Sequence, residues 1–157
     1  LIVDGTTGTV IIDPSENTLA EYEEALALWK RCPGMGLSDA DEKVPLTRFL
    51  ERNPGLSTIA RDGALLVGTC LCGSDGRRGY LYHLAVDPDY RRRGIGRDLV
   101  ASVFVKLRDL DIHKCHIMVY GTNEVGLAFW QQDGWVTRPE IVLMSRNVDM
   151  RDRSGGC

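Results

Sequence analysis

A basic, glycine-containing turn between a strand and a helix constrains the fold of this chain more than any other feature. Tyr80 to Val86 is an apolar and aromatic run that predicts a largely buried strand, which Asp87-Pro88 ends. The turn Arg91-Arg92-Arg93-Gly94-Ile95-Gly96-Arg97 follows, and the spacing of apolar residues predicts a helix from Ile95 to about Asp109. Because a further strand is predicted from Lys114 to Tyr120, the strand-helix-strand order implies one parallel crossover pair.

This turn has the composition of an anion-binding site. The first amides of a helix have no partner within the helix and carry partial positive charge. Gly94 and Gly96 have no Cβ atom, so an anion can approach these amides closely. Arginines add full positive charges beside them: Arg91, Arg92, Arg93 and Arg97. The turn therefore predicts a pyrophosphate cradle. A solvated basic turn whose glycines serve tight packing is the structural alternative.

Two other phosphate-binding motifs are excluded by their spacing. The G-x-x-x-x-G-K-[ST] motif requires a Lys-Ser or Lys-Thr pair, which does not follow these glycines. The G-x-G-x-x-G motif requires a third glycine at the position that Leu99 occupies. The turn therefore belongs to neither of these nucleotide-binding classes.

The remaining segments alternate between strands and helices. Before the crossover they are a strand at Thr9–Asp13, a helix from Thr18 to Cys32-Pro33-Gly34, a helix from the N-cap Ser38 to about Glu51, and a hairpin of Leu56–Arg61 and Ala64–Cys72 around Asp62-Gly63. After the crossover they are a helix at Asn123 to about Asp133 and strands at Trp135–Thr137 and Ile141–Arg146. This order predicts an α/β fold in which helices flank one central mixed sheet.

Composition is that of a globular protein and disfavours several classes of function. The chain has 157 residues, 43% apolar and 26% charged, which predicts a single domain over 1–157 with its core in about 9–147 and a flexible tail at 148–157. A net charge of -3, without a basic stripe of interleaved aromatics, disfavours a nucleic-acid partner. No apolar run approaches the ~20 residues that span a membrane, and the start does not resemble a signal peptide.

Cysteine and histidine spacing gives no sign of a metal site. The 5 cysteines and 3 histidines form no C-x-x-C or H-x-x-H pair. Cys70 and Cys72 lie two residues apart in an apolar run and would share one face of a strand. We therefore expect reduced cysteines, no metal and a cytoplasmic location.

The string LAVDPDYRRRGIGRDL resembles the central motif of the GNAT superfamily of N-acetyltransferases, which reads Q/R-x-x-G-x-G/A after a strand ending in Ala-Val. Arg91, Gly94 and Gly96 match that motif. A second block resembles N-x-x-A-x-x-x-Y-x-x-x-G-F on the family's next helix, and its places are taken by Asn123, Gly126, Trp130, Gly134 and Trp135. The element order also fits from about residue 9 to 147, and the chain is similar to small stand-alone bacterial members.

The resemblance implies an acyl-CoA N-acyltransferase fold in which two parallel strands splay apart and take the pantetheine arm of acetyl-CoA between them. It implies a backbone N–H near Leu84 that polarises the thioester carbonyl. The cofactor-binding residues that it implies are Leu84, Ala85, Val86, Arg91, Arg92, Arg93, Gly94, Ile95, Gly96, Arg97, Asn123 and Trp130. No metal is implied.

The chain departs from the family pattern at two places. Members usually carry a tyrosine on the last helix that protonates the leaving thiolate, and this chain has Trp130 there. The indole N–H can donate a hydrogen bond but is not a useful acid. N-terminal acetyltransferases of ribosomal proteins carry a glutamate base where this chain has Met118. Both differences disfavour a ribosomal-protein substrate.

Three side chains are candidates for the missing acid and base. Histidine titrates near neutral pH, so His83 is a candidate base, and a core histidine on the far face of its strand is the alternative. Tyr82 lies on the other face by parity, and Tyr120 lies at the end of the other splayed strand as a candidate acid. Packing is the alternative for both. The acidic residues after Ser38 form a capped, solvated helix start or line the acceptor site and attract a cationic amine.

The sequence leaves two classes of function open. The first is an N-acetyltransferase that passes the acetyl group of acetyl-CoA, or a longer acyl group such as succinyl, directly to an amine in a ternary complex. The second is a non-catalytic module that binds acyl-CoA and regulates. The acceptor, either a small molecule or a protein amine, and a possible homodimer are not fixed by the sequence, because acceptor-side loops vary on a shared fold.

Overall fold

In the part of the chain that the structure describes, six strands form one mixed sheet in the order in which they occur along the chain. The structure is a computed structural model that describes residues 2–3, 9–12 and 18–148, and of 2–3, 9–12 and 18–20 it describes only the backbone. The strands are β1 (Ile2–Val3), β2 (Thr9–Ile12), β3 (Thr58–Asp62), β4 (Leu65–Ser74), β5 (Gly79–Val86) and β6 (Cys115–Ile117). Neighbours pair antiparallel except β5 and β6, which pair parallel. The predicted mixed sheet with one parallel crossover is therefore confirmed.

Among the described residues, four α-helices and two short 3₁₀ helices accompany these strands. They are α1 (Thr18–Arg31), a 3₁₀ helix at Asp39–Asp41, α2 (Lys43–Arg52), a 3₁₀ helix at Pro88–Tyr90, α3 (Ile95–Asp109) and α4 (Glu124–Gln132). No helix among the described residues is long and apolar enough to cross a membrane. Asp13, the predicted end of the first strand, and 149–157 of the predicted tail lie outside what the structure describes.

Helix α3 covers one face of the sheet and begins and ends where the sequence predicts. Its buried residues recur at helical spacing: Leu99, Val100, Val103 and Leu107. They pack on the side chains that one face of β4 and β5 presents, which include Val67, Cys70, Cys72 and Leu81. Burying each large apolar side chain contributes about 1.5–3 kcal/mol. This cluster therefore fixes α3, and with it the turn that precedes α3, against the sheet.

Helices α1 and α2 cover the opposite face. Leu28 and Trp29 of α1 and Leu46 of α2 pack on residues that the sheet presents to this side, among them Ile59 of β3 and Leu71 of β4. Leu28 and Trp29 are almost wholly buried. Because successive strand residues point to opposite faces, β4 serves both cores with one run of apolar residues.

The second predicted helix is split in two. Ser38 is an N-cap as predicted, and a capping box with Asp41 closes it, but the turn is a 3₁₀ helix that ends at Asp41. Helix α2 starts anew at Lys43 after an extended residue, Glu42. Pro45 explains the break, because in one continuous helix its ring would clash with the carbonyl group of Asp41 four residues before. In the first turn of α2 a proline is tolerated.

The prediction of two final strands is wrong. Residues 135–148 form no strand in the described part of the chain, and β6 is shorter than predicted, at Cys115–Ile117. Apolar side chains of this segment are exposed, with Val142 at 80% and Met144 at 87%. The β-branched pattern of the segment favours a strand only when a neighbouring strand supplies the ladder, and no described strand does so.

Candidate active site

The pairing between strands β5 and β6 ends near the middle of β5. Their register runs Gly79↔Cys115, Tyr80↔His116 and Leu81↔Ile117 and ends there. Beyond Leu81, β5 continues to Val86 with β4 as its partner, while the chain after β6 leaves the sheet. One edge of residues 82–86 is thus free of a described strand. This is the splay that the family resemblance implies.

A β-bulge lies at the start of the splay. Thr69 pairs with Ala85 and Leu71 pairs with Tyr82, so His83 and Leu84 together stand opposite Cys70. His83 has a φ of 48°, in the left-handed region that side chains other than glycine rarely adopt.

The bulge corrects the predicted orientation of His83. The ring of Tyr82 packs edge-on against Phe49 of α2, with centroids 5.7 Å apart. The ring of His83 lies 4.5 Å from that of Trp29 in α1. Both side chains therefore lie on the face that α1 and α2 cover. Simple alternation placed His83 on the far face, and the extra residue of the bulge is the reason that this expectation is wrong.

A buried hydrogen-bond relay holds the bulge. The indole Nε1 of Trp29 donates to the Thr69 hydroxyl oxygen at 2.8 Å. That hydroxyl in turn donates to the main-chain carbonyl oxygen of His83 at 2.9 Å. Trp29 and Thr69 are 1% and 2% exposed, so neither bond competes with water.

We expect Thr69→Val to destabilise the protein by about 2 kcal/mol, because two buried polar groups lose their partner while the side-chain volume is kept. Thr58→Val is the matched control: Thr58 is 0% exposed, but its hydroxyl bond to the Leu99 carbonyl oxygen is longer, at 3.4 Å. Urea unfolding of both variants measures the difference. Equal losses would show that the relay adds nothing to the bulge.

An aspartate from a distant part of the chain contacts His83. Asp41 Oδ1 lies 2.5 Å from His83 Nε2, and both side chains are 14% exposed. The other carboxylate oxygen of Asp41 accepts the Ser38 main-chain N–H at 2.8 Å. The sequence marks Asp41 only as one of the acidic residues that follow the N-cap Ser38, and that pattern gives no sign of the contact with His83.

The cradle has the geometry that an anion requires at Gly94. Gly94 is the N-cap of α3 with a φ of 85°, and a methyl group built there would have only Asp98 within 4 Å, at 3.9 Å. The first amide of α3 that bonds back is that of Asp98, to the Gly94 carbonyl oxygen at 3.1 Å. The amides before it have no main-chain acceptor within the helix, and the space beside Gly94 is open. The residues present therefore fit a phosphate group.

Gly96 has a different role from Gly94. It is buried, and a methyl group built there would lie 3.3 Å from the ring of Phe129 in α4. Glycine at this position lets α4 approach the first turn of α3. Ile95 beside it is buried in the core between α3 and the sheet. The packing explanation offered for the glycines thus holds for Gly96, whereas Gly94 supplies the turn.

The four arginines of the turn are exposed, and three of them have partners. Arg91 Nε donates to the Val86 carbonyl oxygen at 3.2 Å. Arg93 donates to the Asp89 carbonyl oxygen at 2.9 Å, and Arg97 lies 3.9 Å from an Asp133 carboxylate oxygen. Arg92 has a φ of 61°. The side chains of all four arginines can turn towards a phosphate, because their present contacts are exposed and each contributes little free energy.

Two side chains between β5 and the turn, those of Asp87 and Tyr90, anchor the end of this strand. Asp87 is 8% exposed, accepts the Asp89 main-chain N–H at 3.0 Å and pairs with Arg31 of α1 at 2.6 Å. The Tyr90 hydroxyl donates to Asp62 at 2.8 Å. The turn is therefore anchored to both α1 and β3.

Cys32 contacts the same strand end. Its Sγ donates to the Val86 carbonyl oxygen at 3.6 Å, the oxygen that Arg91 also contacts. Burial raises the pKa of the Cys32 thiol. Val86 therefore shares its carbonyl group with two side chains, and its pairing with a pantetheine arm stays a prediction.

The segment after α1 closes over the far side of the splay. A methyl group built at Gly34 would lie 2.7 Å from the Asn123 amide nitrogen, and one at Gly36 would lie 2.5 Å from the Tyr120 hydroxyl. Asn123 caps α4, its side-chain oxygen accepting the Gly126 N–H at 2.9 Å. The contact of Asn123 with the cofactor stays a prediction. Tyr120 is 65% exposed.

Two predicted site residues lie in packed surroundings. Trp130 is 7% exposed, and its ring lies 5.0 Å from those of Phe129 and Trp135. It has little surface left for a ligand, and its role in cofactor binding stays a prediction. Burial raises the pKa of the Tyr82 phenol, so at neutral pH Tyr82 is protonated and can only donate. No described group of His, Cys, Asp or Glu is arranged to hold a metal ion.

Comparison with known proteins identifies the family. The model of the Acetyltransferase (GNAT) family matches residues 22–135. A protein named acetyltransferase from Sodalis glossinidius is 30% identical over 128 residues, which cover 82% of this chain and 89% of its own. The chain therefore belongs to the GNAT family and is an acyltransferase. The resemblance inferred from the two sequence blocks is confirmed.

Solved structures share the fold. A crystal structure of an acetyltransferase from Streptococcus agalactiae has a TM-score of 0.72 at 16% identity, covering 90% of this chain and 93% of its own. The PaiA N-acetyltransferase from Thermoplasma acidophilum, solved in complex with coenzyme A, has a TM-score of 0.68 at 21% identity, covering 80% and 87%. The predicted fold class is thus confirmed.

Proposed function

We propose that this enzyme transfers the acetyl group of acetyl-CoA to a primary amine, which attacks the thioester directly in a ternary complex. The observation that carries the proposal is the cradle at the start of α3. There Gly94 has a φ of 85° and leaves open space beside amides that have no acceptor in the helix. Exposed arginines surround these amides, and a pyrophosphate is the ligand that such a helix start favours.

The splay supports the proposed binding of a pantetheine arm. An extended amide-containing chain can add to a free strand edge through main-chain hydrogen bonds. Residues 82–86 of β5 present such an edge beyond the last pair with β6. The bulge at His83 and Leu84 interrupts the regular ladder at this point. An N–H freed by the bulge is the group that we expect to stabilise the oxyanion of the reacting carbonyl.

Direct attack is favoured over an acyl-enzyme by the state of the thiols. The thiolate, and not the thiol, is the nucleophile. Burial raises the pKa of Cys32, which contacts the end of β5, and it raises that of Cys72 to about 12. Both thiols are protonated at neutral pH, so they are poor nucleophiles and positioning of the amine supplies much of the rate.

A second candidate function is a non-catalytic module that binds acyl-CoA. One specific observation favours it: the position of the family's tyrosine acid holds Trp130, whose ring is buried among Phe129 and Trp135. Turnover distinguishes the two functions, since a binding module keeps its affinity for the coenzyme without releasing thiol.

The test combines binding with turnover. We expect acetyl-CoA to bind with a micromolar dissociation constant in titration calorimetry. We also expect thiol release, followed with a thiol reagent, for at least one amine in a panel of aminoglycosides, polyamines, amino acids and short peptides. Succinyl-CoA in parallel tests the acyl group. Binding without turnover across the panel would favour the binding module, and the lack of any binding to folded protein would contradict both functions.

A further inference from the structure

Outside the cradle, the structure joins two titratable side chains that the family resemblance does not connect. His83 Nε2 lies 2.5 Å from Asp41 Oδ1, although 42 residues separate them in the chain. Each side chain is 14% exposed, so the contact is largely shielded from water. A hydrogen bond to a charged group in such surroundings is about twice as strong as one between neutral groups.

Three elements fix the position of this imidazole. The 3₁₀ helix supplies Asp41, whose second oxygen is held by the Ser38 N–H at 2.8 Å. Helix α1 supplies the ring of Trp29, 4.5 Å away and tilted by 57°. Strand β4 supplies the Thr69 hydroxyl, which holds the His83 carbonyl oxygen at 2.9 Å.

The backbone of His83 is strained in support of this position. A φ of 48° is unfavourable for a side chain other than glycine. Such strain persists only where the surroundings impose it, and it concentrates at functional sites. Glycine would relieve the strain, and asparagine and histidine are among the side chains that adopt this φ most often.

We propose that His83 takes the proton from the acceptor amine and that Asp41 is its positioning residue; the inference rests on the proposed acetyl transfer. With Nε2 turned to Asp41, Nδ1 is the nitrogen that remains to accept a proton. The carboxylate then stabilises the imidazolium that forms. Leu84, the other residue of the bulge, is where the oxyanion-stabilising N–H is expected, so the base lies one residue from the reacting carbonyl.

Acetyl transfer forms a carbon–nitrogen bond and breaks a carbon–sulfur bond. The ammonium group of the acceptor gives one proton to His83 Nδ1, and the neutral nitrogen forms a bond to the thioester carbonyl carbon. The carbon–sulfur bond breaks, and its electron pair leaves with the sulfur. The nitrogen gives its second proton to the departing thiolate, which yields the amide and the free thiol of the coenzyme, and the His83 imidazolium then releases its proton to solvent.

Charged groups near His83 leave Asp41 as its partner. Among the residues that the structure describes, Asp41 is the charged side chain in contact with the imidazole. Arg31 and Asp87, at the far end of β5, pair with each other. Tyr82 on the same face is a neutral phenol packed on Phe49. The proposal therefore predicts that Asp41 alone tunes this histidine.

The left-handed φ of His83 decides which substitutions can test its role. His83→Gly suits the left-handed φ and leaves a space the size of an imidazole ring, whereas His83→Asn also tolerates that φ but fills part of the space. Asp41→Asn keeps an oxygen for the Ser38 N–H but removes the charge. Ser38→Ala disturbs the same turn without touching the histidine and is the control for Asp41.

We expect kcat with saturating acetyl-CoA to fall at least a hundredfold in His83→Gly and His83→Asn, in the range of general-base catalysis. Acetyl-CoA affinity should stay within about threefold of wild type. Added imidazole should restore His83→Gly at least about tenfold and His83→Asn far less. Asp41→Asn should lose about tenfold, with no further loss in the Asp41→Asn/His83→Gly double variant, because it acts through the histidine.

Nitrogen-15 NMR of the ligand-free protein gives a readout besides activity. The chain has only 3 histidines, so the ring signals of His83 can be assigned with His83→Gly. Asp41→Asn should shift the Nε2 signal of His83, and Ser38→Ala should leave it in place.

Distinct results would overturn the inference. A kcat for His83→Gly within threefold of wild type would remove the histidine from the reaction while leaving acetyl transfer intact. A tenfold loss in Ser38→Ala, or an unchanged Nε2 signal in Asp41→Asn, would reduce Asp41 to a structural cap. Wild-type protein that binds acetyl-CoA but acetylates no amine would overturn this inference together with the proposed function.

Discussion

Gly94→Asp should lower the affinity for acetyl-CoA at least a hundredfold. Its carboxylate would stand in the open space beside the first amides of α3, where the pyrophosphate is expected. Two unit charges 4 Å apart near a protein surface repel by about 4 kcal/mol, and each 1.4 kcal/mol corresponds to a tenfold change in affinity. The substitution would also strain the turn, because Gly94 has a φ of 85°. Titration calorimetry measures the loss.

The chain contains a matched control for this variant. Gly76 lies in the turn between β4 and β5, has a φ of 83° and has no atom within 4 Å of a built methyl group. Gly76→Asp therefore introduces the same charge and a similar backbone strain at the end of β5 remote from the cradle. We expect Gly76→Asp to bind acetyl-CoA as wild type does. Equal affinity in the two aspartate variants would place the pyrophosphate away from the start of α3.

Gly96→Asp is a less informative variant than the sequence alone suggests. The site of its side chain is filled by the ring of Phe129, 3.3 Å from a built methyl group, so the variant buries a carboxylate in a packed contact. A loss of binding there would mix misfolding with repulsion of the pyrophosphate.

The cradle and α3 could be predicted from the sequence because their signals are local. The turn-forming Gly94, the arginines and the apolar spacing from Ile95 to Asp109 lie within a few residues of one another. The helix obeys its own periodicity, and the predicted bounds match the structure. A resemblance to two family blocks then placed the crossover and the splay correctly.

The arrangement around His83 could not be predicted in the same way. Parity along β5 assigns His83 and Tyr82 to opposite faces, and one bulge residue opposite Cys70 reverses that assignment. The contact with Asp41 joins two segments through the packing of α1 and the 3₁₀ helix, which no local pattern encodes. The prediction of two final strands was wrong for a related reason, because a strand forms only where a neighbouring strand offers an edge.

Leu99→Ala should destabilise the protein by about 3 kcal/mol, the middle of the range for a buried leucine. Leu99 is 0% exposed and lies at the centre of the contact between α3 and the sheet. A methyl group at Gly68 of β4 would lie only 3.0 Å from its side chain, so the strand passes too close for neighbours to refill the space easily. For a domain of this size we expect the melting temperature to fall by roughly 6–12 °C.

The control for Leu99→Ala lies on the same helix. Val105 of α3 is 46% exposed, and Val105→Ala should change stability by less than about 0.5 kcal/mol. Thermal and urea unfolding of the two variants, with and without acetyl-CoA, tests the packing and its link to the cradle together. Ligand at a hundred times its dissociation constant adds about 2.7 kcal/mol to wild type. If Leu99 also anchors the turn, the same ligand will add less to Leu99→Ala, whereas an equal gain in both would mean that the cradle keeps its shape without this contact.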